Sequence, residues 1–283
     1  MIRLSNRNDI SGIIRVWNEA FGDEENDIRF FLDNCYIPEN TVVCELDGVI
    51  ASVLFLLNGE MHIHGADYPS YYLYAACTLK AYRGRGVMAS LLDFAKKTAS
   101  ERCKYFIALK PAEDSLYGYY SKFGYRTSFS KKVFLINNVK TFSNDYNNKF
   151  SDNKNYSQVR DNLYSDFDYF KWDETSVSFA IKHHKYYGGH IIERRNGYAL
   201  YSADGNKTRV KEIAFPIDFL LNSLGFAAEN SDSDIIYVET PYYYEIDSFK
   251  PEVINSGMLL PLSAEAERII YNINNAYLGL TLD

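Results

Sequence analysis

The stretch from Tyr72 to Ala95 constrains the fold more than any other part of the chain. Tyr72 to Leu79 is a β-prone, largely apolar run. Arg83-Gly84-Arg85-Gly86 follows, and Val87, Leu91, Leu92, Phe94 and Ala95 then mark one face of a helix. A strand passed through glycines straight into a helix is a junction of α/β folds. It also creates an anion site, because the first N–H groups of a helix have no intrahelical partner and the aligned peptide dipoles favour negative charge there. Glycine at 84 and 86 lets a diphosphate approach the backbone, and Arg83 and Arg85 add charge and donors. On these residues alone, a phosphate-bearing ligand and a solvated basic turn both fit. The junction is not a nucleoside-triphosphate loop, since the closing Gly-Lys-Ser/Thr is missing. Nor is it a dinucleotide fingerprint, since the third glycine is absent and no repeated βαβ unit opens the chain.

The elements around it predict a mixed α/β domain over residues 1–137. Ile2 to Leu4 reads as a strand. Asn8 or Asp9 offers a cap for a helix carrying Ile10, Ile13, Ile14, Trp17, Ala20 and Phe21 on one stripe, stopped by Gly22. A second helix is expected over Asp23 to Asn34, facing inward through Ile28, Phe31 and Leu32. Strands Thr41–Leu46 and Val49–Leu57 flank Asp47-Gly48, a hairpin signal because a tight primed turn needs positive φ. Further strands are expected at Met61–His64 and Tyr72–Leu79. After the glycine junction come a helix ending near Cys103, a buried strand Tyr105–Leu109, a short helix capped by Asp114 or Ser115 and ending at Gly124, and a strand Val133–Ile136.

Residues 138–161, rich in Asn, Asp, Ser and Lys, read as a connection to a second mixed α/β domain over 162–283. There the pattern predicts a helix Trp172–Tyr187, a hairpin around Asn196-Gly197, a strand Arg209–Phe215, a helix Ile217–Leu224, a strand Ile235–Glu239 and a helix Ala264–Asn275. The order helix, x-Gly hairpin, strand, helix, buried strand occurs in both halves. In the second, Pro216 joins strand to helix with no glycine loop.

Bulk properties exclude several classes. The formal net charge of −7 over 283 residues argues against nucleic-acid binding, which needs a basic face. No charged-then-apolar leader opens the sequence and no apolar run would span a bilayer, so no membrane association and a cytoplasmic location are expected. Cys35, Cys44, Cys77 and Cys103 show no CxxC spacing and read as reduced core thiols.

Thr78-Leu79-Lys80-Ala81-Tyr82-Arg83-Gly84-Arg85-Gly86-Val87-Met88 resembles the cofactor motif of the GNAT acyltransferases, Arg/Gln-x-x-Gly-x-Gly/Ala after the fourth strand. Tyr120-Ser121-Lys122-Phe123-Gly124-Tyr125 is similar to that family's second motif, at the right distance. Met88 stands where the family has Gly or Ala, and Glu113 where it often has Asn. The resemblance covers residues 1 to about 136. It implies acetyl-CoA as acyl donor and no metal, with amides of the loop Arg83, Gly84, Arg85, Gly86, Val87 and Met88 on the pyrophosphate. The pantetheine arm would lie along Cys77, Thr78 and Leu79. It also implies Tyr120 as the catalytic residue protonating the departing thiolate, a role open to a phenol with pKa about 10. The acceptor implied is an amine on a small molecule or peptide; no oligomeric state is assigned. The chain as a whole resembles bacterial tandem members allied to the Eis group, whose C-terminal copy usually lacks the cofactor loop and shapes the acceptor pocket. In some relatives the terminal carboxylate, here that of Asp283, enters the cleft. A second class stays open, a non-catalytic acyl-CoA-binding module or sensor that has kept the coenzyme site.

An attacking amine must lose a proton, and Glu45, Glu60, His62, His64 and Asp67 lie in the stretch where a base is expected. None stands out. His62 and His64 fall two apart, on one face of a strand, but lack a third metal ligand at a recognisable spacing. His183 and His184 read as surface residues. Tyr68, Tyr71, Tyr72 and the run Tyr242-Tyr243-Tyr244 offer either cation–π contacts to a cationic acceptor or ordinary packing.

Overall fold

The computed structural model describes residues 1–137, 155–194, 197–216, 224, 227, 235–247 and 249–282. They form mixed α/β structure in two units. The first comprises Met1–Met61, Tyr68–Thr127 and Met258–Asn272, and the second His62–Asp67, Ser128–Gly257 and Ile273–Asp283. The division expected at residues 137 and 162 thus differs in three places. Ser128–Asn137 falls in the second unit. Met258–Asn272 returns to the first unit, and the hairpin tip His62–Asp67 is counted with the second.

In the first unit, strands β1 (Ile2–Leu4), β2 (Thr41–Leu46), β3 (from Val49), β4 (to Thr78) and β5 (Phe106–Leu109) neighbour one another in that order. β1–β2 and β2–β3 are antiparallel, β4–β5 is parallel, and β5 pairs antiparallel with Met258–Pro261 at the end of β12 (Glu252–Pro261). That last pairing draws the late segment into this unit. The Asp47-Gly48 turn forms as expected, with φ of 54° and 73°. The expected break after Leu57 does not occur. β3 runs unbroken from Val49 to Ile63, and β4 from Ala66 to Thr78, around His64 and Gly65 at φ 51° and 79°.

Helix α1 (Ile10–Phe21) buries Ile13, Ile14, Val16 and Trp17. Its entry is set one turn earlier than expected. Asn6 and Asp9 form a reciprocal capping box on a short 3-10 turn, so the capping side chain is Asn6. Gly22 ends the helix at φ 82°, its N–H on the Asn18 carbonyl. α2 (Glu25–Cys35), α3 (Val87–Glu101) and α4 (Ser115–Ser121) follow the expected pattern. α3 lays Leu91, Leu92, Ala95 and Ala99 against Leu54, Leu56, Tyr71, Leu73, Ile107 and Met258, the apolar core of this unit. α7 (Ala264–Ile269) is shorter than the expected helix Ala264–Asn275.

In the second unit, β6 (Arg126–Asn137, from Ser128), β11 (Ile235–Pro241), β10 (Lys207–Ala214), β9 (Gly197–Asp204) and β8 (His190–Arg194) are neighbours in that order, with only β10–β11 parallel. A short strand β7 (Tyr169–Lys171) precedes α6 (Glu174–Tyr186). Residues expected in the polar connection instead begin helix α5 (Tyr156–Tyr164), capped by the Asn155 side chain on the Gln158 N–H. Its Arg160 is fully buried against Glu212. A polar stretch can be a helix when its one inward charge meets a buried counter-charge, and local composition does not reveal that. Asn196 and Ile217–Ser223 of the expected hairpin and helix lie outside the described residues, as does the rest of the 138–154 connection. Among the described residues no helix is long and apolar enough to cross a membrane.

Candidate active site

β4 and β5 part company near their C-terminal ends. Their register runs from Ser70 opposite Phe106 to Leu73 opposite Leu109, where β5 stops, while β4 continues to Thr78. Just past the last pair, Ala75 takes a left-handed conformation at φ 47°, strained for a residue with a Cβ. At the end of β4 the main chain is tied down residue by residue. The Ser52 hydroxyl donates to the Cys77 carbonyl at 2.7 Å and pairs with the Thr78 hydroxyl at 2.8 Å, and the Leu79 N–H donates to the Ala51 carbonyl at 2.9 Å. Cys77 and Leu79 therefore turn their polar main chain toward β3. Thr78 between them faces the opposite edge, because neighbouring residues of a strand bond to opposite sides. Its carbonyl accepts from Arg83 Nε at 2.9 Å.

The loop that follows is built of short closures. The Glu19 carboxylate accepts from the Lys80 N–H at 2.6 Å, the Tyr82 N–H meets the Leu79 carbonyl at 2.9 Å, and the Arg83 N–H meets the Lys80 carbonyl at 3.3 Å. Gly84 and Gly86 then adopt φ of 74° and 76°. Each is a position that favours glycine, and a Cβ at either would meet nothing within 4 Å, so the approach to the backbone is open. α3 starts at Val87, and its first intrahelical bond runs from the Ser90 N–H to the Gly86 carbonyl. The amides of Val87, Met88 and Ala89 precede that bond and are left for a ligand or solvent. No acidic side chain occupies the first turn. Arg83 and Arg85 are both exposed, and the Arg85 guanidinium lies over the Tyr82 ring at 5.4 Å. Val87 and Met88 pack partly into the core.

Tyr120 lies on α4 in the same core cluster, its ring 5.4 Å from Tyr119 and 5.6 Å from Tyr125. Burial, and secondarily the neighbouring Tyr119, pushes its hydroxyl up to about 12. Burial does the same to Tyr117, also to about 12, so protonated phenols cluster on this short helix. Gly124, at φ 92°, closes the turn after α4.

The structure separates the other candidates. Glu45 is engaged by Arg3 at 2.8 Å. His62 and His64 do not share a strand face, because β3 ends at Ile63 and His64 takes a turn conformation. His62 instead lies between the Asp67 carboxylate at 2.5 Å and the Ser165 carbonyl at 3.1 Å, and Lys171 holds the other oxygen of Asp67 at 2.5 Å. Among the described residues no group of three His, Cys, Asp or Glu is arranged to hold a metal. His184 is not a simple surface residue, for its Nε2 lies 3.1 Å and 2.9 Å from the carbonyls of His190 and Tyr201. Tyr71, Tyr72 and Tyr244 are buried, and Tyr244 donates to the Phe215 carbonyl. Cys44 and Cys77 are core thiols, with Cys77 raised far by burial, but Cys103 is exposed in a left-handed turn at φ 55°. Asp283 lies outside the described residues. Ser52 and Glu19 escaped the sequence reading. Their partners are 26 and 61 residues away, with nothing local to mark them.

Residues 1–128 match the sequence profile of the acetyltransferase (GNAT) domain. No curated protein matches the chain by sequence. In fold, the chain is similar to a GCN5-related N-acetyltransferase from Anabaena variabilis, with TM-score 0.74 and 14% identity over 94% of this chain and 74% of that one. A GCN5-related N-acetyltransferase from Kribbella flavida gives TM-score 0.72 and 13% identity, covering 94% and 72%. Eis1 from Mycobacterium abscessus gives 0.66 and 12%, covering 94% and 75%. At such identities these structures establish shared architecture, while the profile match falls on the part of the chain that contains the glycine junction and Tyr120. Residues 1–128 thus carry the match to the acetyltransferase (GNAT) domain, and the chain shares its fold with GCN5-related N-acetyltransferases.

Proposed function

We propose that the chain transfers an acetyl group from acetyl-CoA to a primary amine of a small molecule or peptide by direct attack, with Tyr120 as the proton donor. The observation that carries this reading is the junction at Gly84–Val87. Two left-handed glycines with open space above them precede a helix whose first amides are unpaired and whose first turn has no acid. Those features fit a diphosphate. Acetyl-CoA, when bound, supplies the activated thioester. The amides of Gly84 to Met88, with the positive charge of the loop, would hold its diphosphate, and the strand end Cys77–Leu79 would lie along its arm.

Tyr120 stays protonated at neutral pH, as a donor must. At about 12 it is a weaker acid than an ordinary thiol near 8.5. Its first service would therefore be a hydrogen bond to the developing charge on sulfur. As the C–N bond forms and the C–S bond breaks, the phenol would give its proton to the sulfur and regain, through solvent, the one that the amine nitrogen loses. The net charge of −7 favours a cationic acceptor by long-range attraction. Steady-state kinetics of Tyr120→Phe test the assignment: kcat should fall by about a hundredfold or more with the KM for acetyl-CoA little changed. An unaltered kcat removes Tyr120 from the chemistry.

A further inference from the structure

We infer that the two arginines of the loop have different tasks: Arg83 is a positioning residue that braces the end of β4 through its Nε–H, and Arg85 is the cation that meets the phosphates. The inference rests on the reading of this loop as an acetyl-CoA site. Thr78 is the last residue of β4 and is 8% exposed, so its carbonyl would be left nearly dry at the strand end without a partner. Arg83 Nε supplies that partner at 2.9 Å. On the β3 side the same segment is held by Ser52, itself 0% exposed, and by the Ala51 carbonyl. Arg83 provides the corresponding hold on the opposite edge, where the register with β5 has already ended at Leu73. The bond also closes the chain from Thr78 to Arg83 around the turn made by Lys80–Tyr82, and so sets the direction in which Gly84 leaves. Arg85 has no such commitment among the described residues. Its guanidinium rests on the exposed side of the loop against the Tyr82 ring, a contact that leaves its edge N–H groups free for an anion.

What the Thr78 carbonyl requires is an N–H at the place of Arg83 Nε; positive charge is incidental. Glutamine puts its Nε2 the same number of bonds from Cα and carries no charge. Lysine keeps the charge but has a methylene at that place. The two substitutions therefore separate bracing from charge. Acetyl-CoA titrated calorimetrically into the full chain, for wild type, Arg83→Gln, Arg83→Lys, Arg83→Met and Arg85→Gln over a range of salt, reads the difference. Arg83→Gln should bind more tightly than Arg83→Lys, and Arg83→Lys and Arg83→Met should each lose about tenfold, as for an unsatisfied carbonyl at the binding edge. Arg85→Gln should flatten the dependence of Kd on salt more than Arg83→Gln does. Tighter binding by Arg83→Lys than by Arg83→Gln, or equal flattening by both Gln variants, overturns the division of tasks. A wild-type chain that binds no acetyl-CoA overturns the functional reading instead. In that case the melting temperatures still decide the brace, which requires Arg83→Gln to melt above both Arg83→Lys and Arg83→Met. The Gln–Lys comparison stands even if Arg83→Met does not fold.

Discussion

Replacing Glu212 with Gln should destabilise the second unit severely, and the structure gives the reason. Arg160 and Glu212 have side chains 0% and 1% exposed. Arg160 donates through Nε to Glu212 Oε1 at 2.9 Å, through Nη1 to the Phe170 carbonyl at 2.8 Å, and through Nη2 to the Leu278 carbonyl at 3.3 Å. The Tyr277 hydroxyl donates to the other Glu212 oxygen at 2.5 Å, and the guanidinium lies 5.1 Å and 5.5 Å from the ring centroids of Tyr164 and Tyr169. The pair thus ties α5 to β10 and to the C-terminal segment. Glu212→Gln keeps the shape but leaves a guanidinium charge in the interior without a counter-charge, at a cost of about 3–5 kcal/mol. With a urea slope of about 1–3 kcal/mol/M, the midpoint should fall by at least about 1 M. The chain has two tryptophans, Trp17 in the first unit and Trp172 in the second, whose Nε1 reaches the carbonyls of Leu278 and Gly279 at 3.4 Å and 3.3 Å. In a Trp17→Phe background, urea-induced fluorescence change therefore follows the second unit. The double replacement Arg160→Met with Glu212→Leu should cost less than Glu212→Gln alone, since it removes both charges. A cost for Glu212→Gln below about 1 kcal/mol, the range of an exposed pair, would refute the argument. So would a double replacement worse than the single one.

Two further outcomes follow from local geometry. Asp9 is held below its ordinary range first by its hydrogen bond from Arg3, with the Asn6 N–H adding to it against the opposing effect of burial. Because the folded value is the lower one, this stabilisation is complete above about pH 4 and drains as pH falls through the folded value; acid titration followed by Trp17 fluorescence in a Trp172→Phe background should show that loss, and Asp9→Asn should flatten it. Gly197 at the start of β9 is needed for close approach, since a Cβ there would fall 2.0 Å from the Ala214 carbonyl oxygen. Gly197→Ala should cost about 1–3 kcal/mol, read by thermal melting; an unchanged melting temperature would contradict the close approach of β9 to β10.

Much of the first unit is legible because its signals are local. Asp47-Gly48 announces its hairpin through the positive φ that such a turn needs, Gly22 announces a helix end, and the stripe from Ile10 to Trp17 has one buried face. The same locality explains the errors. Asn58-Gly59-Glu60 reads as a break, but strand pairing carries β3 through it to Ile63. Asn6 is hidden as a cap because the 3-10 turn it caps precedes the apolar stripe. Most of α5 reads as connection because its deciding residue, Arg160, looks like any surface arginine until Glu212, 52 residues later, is placed beside it. In the site, Gly84, Gly86 and Tyr120 are marked by spacing and motif. The brace from Arg83 to Thr78 is local but depends on the turn between them, while the supports from Ser52 and Glu19 are tertiary and hidden by sequence separation.

The central claim is that the glycine junction before α3 receives the diphosphate of acetyl-CoA. Calorimetric titration of acetyl-CoA into wild type and Gly86→Glu tests it most directly. Residue 86 takes a left-handed φ in open space, so a side chain there should cost about 1–2 kcal/mol of backbone strain and clash with nothing in the chain, while its carboxylate stands where the diphosphate must lie. The account predicts saturable binding by wild type and none by a folded Gly86→Glu. Equal binding by both, or none by wild type, would contradict it.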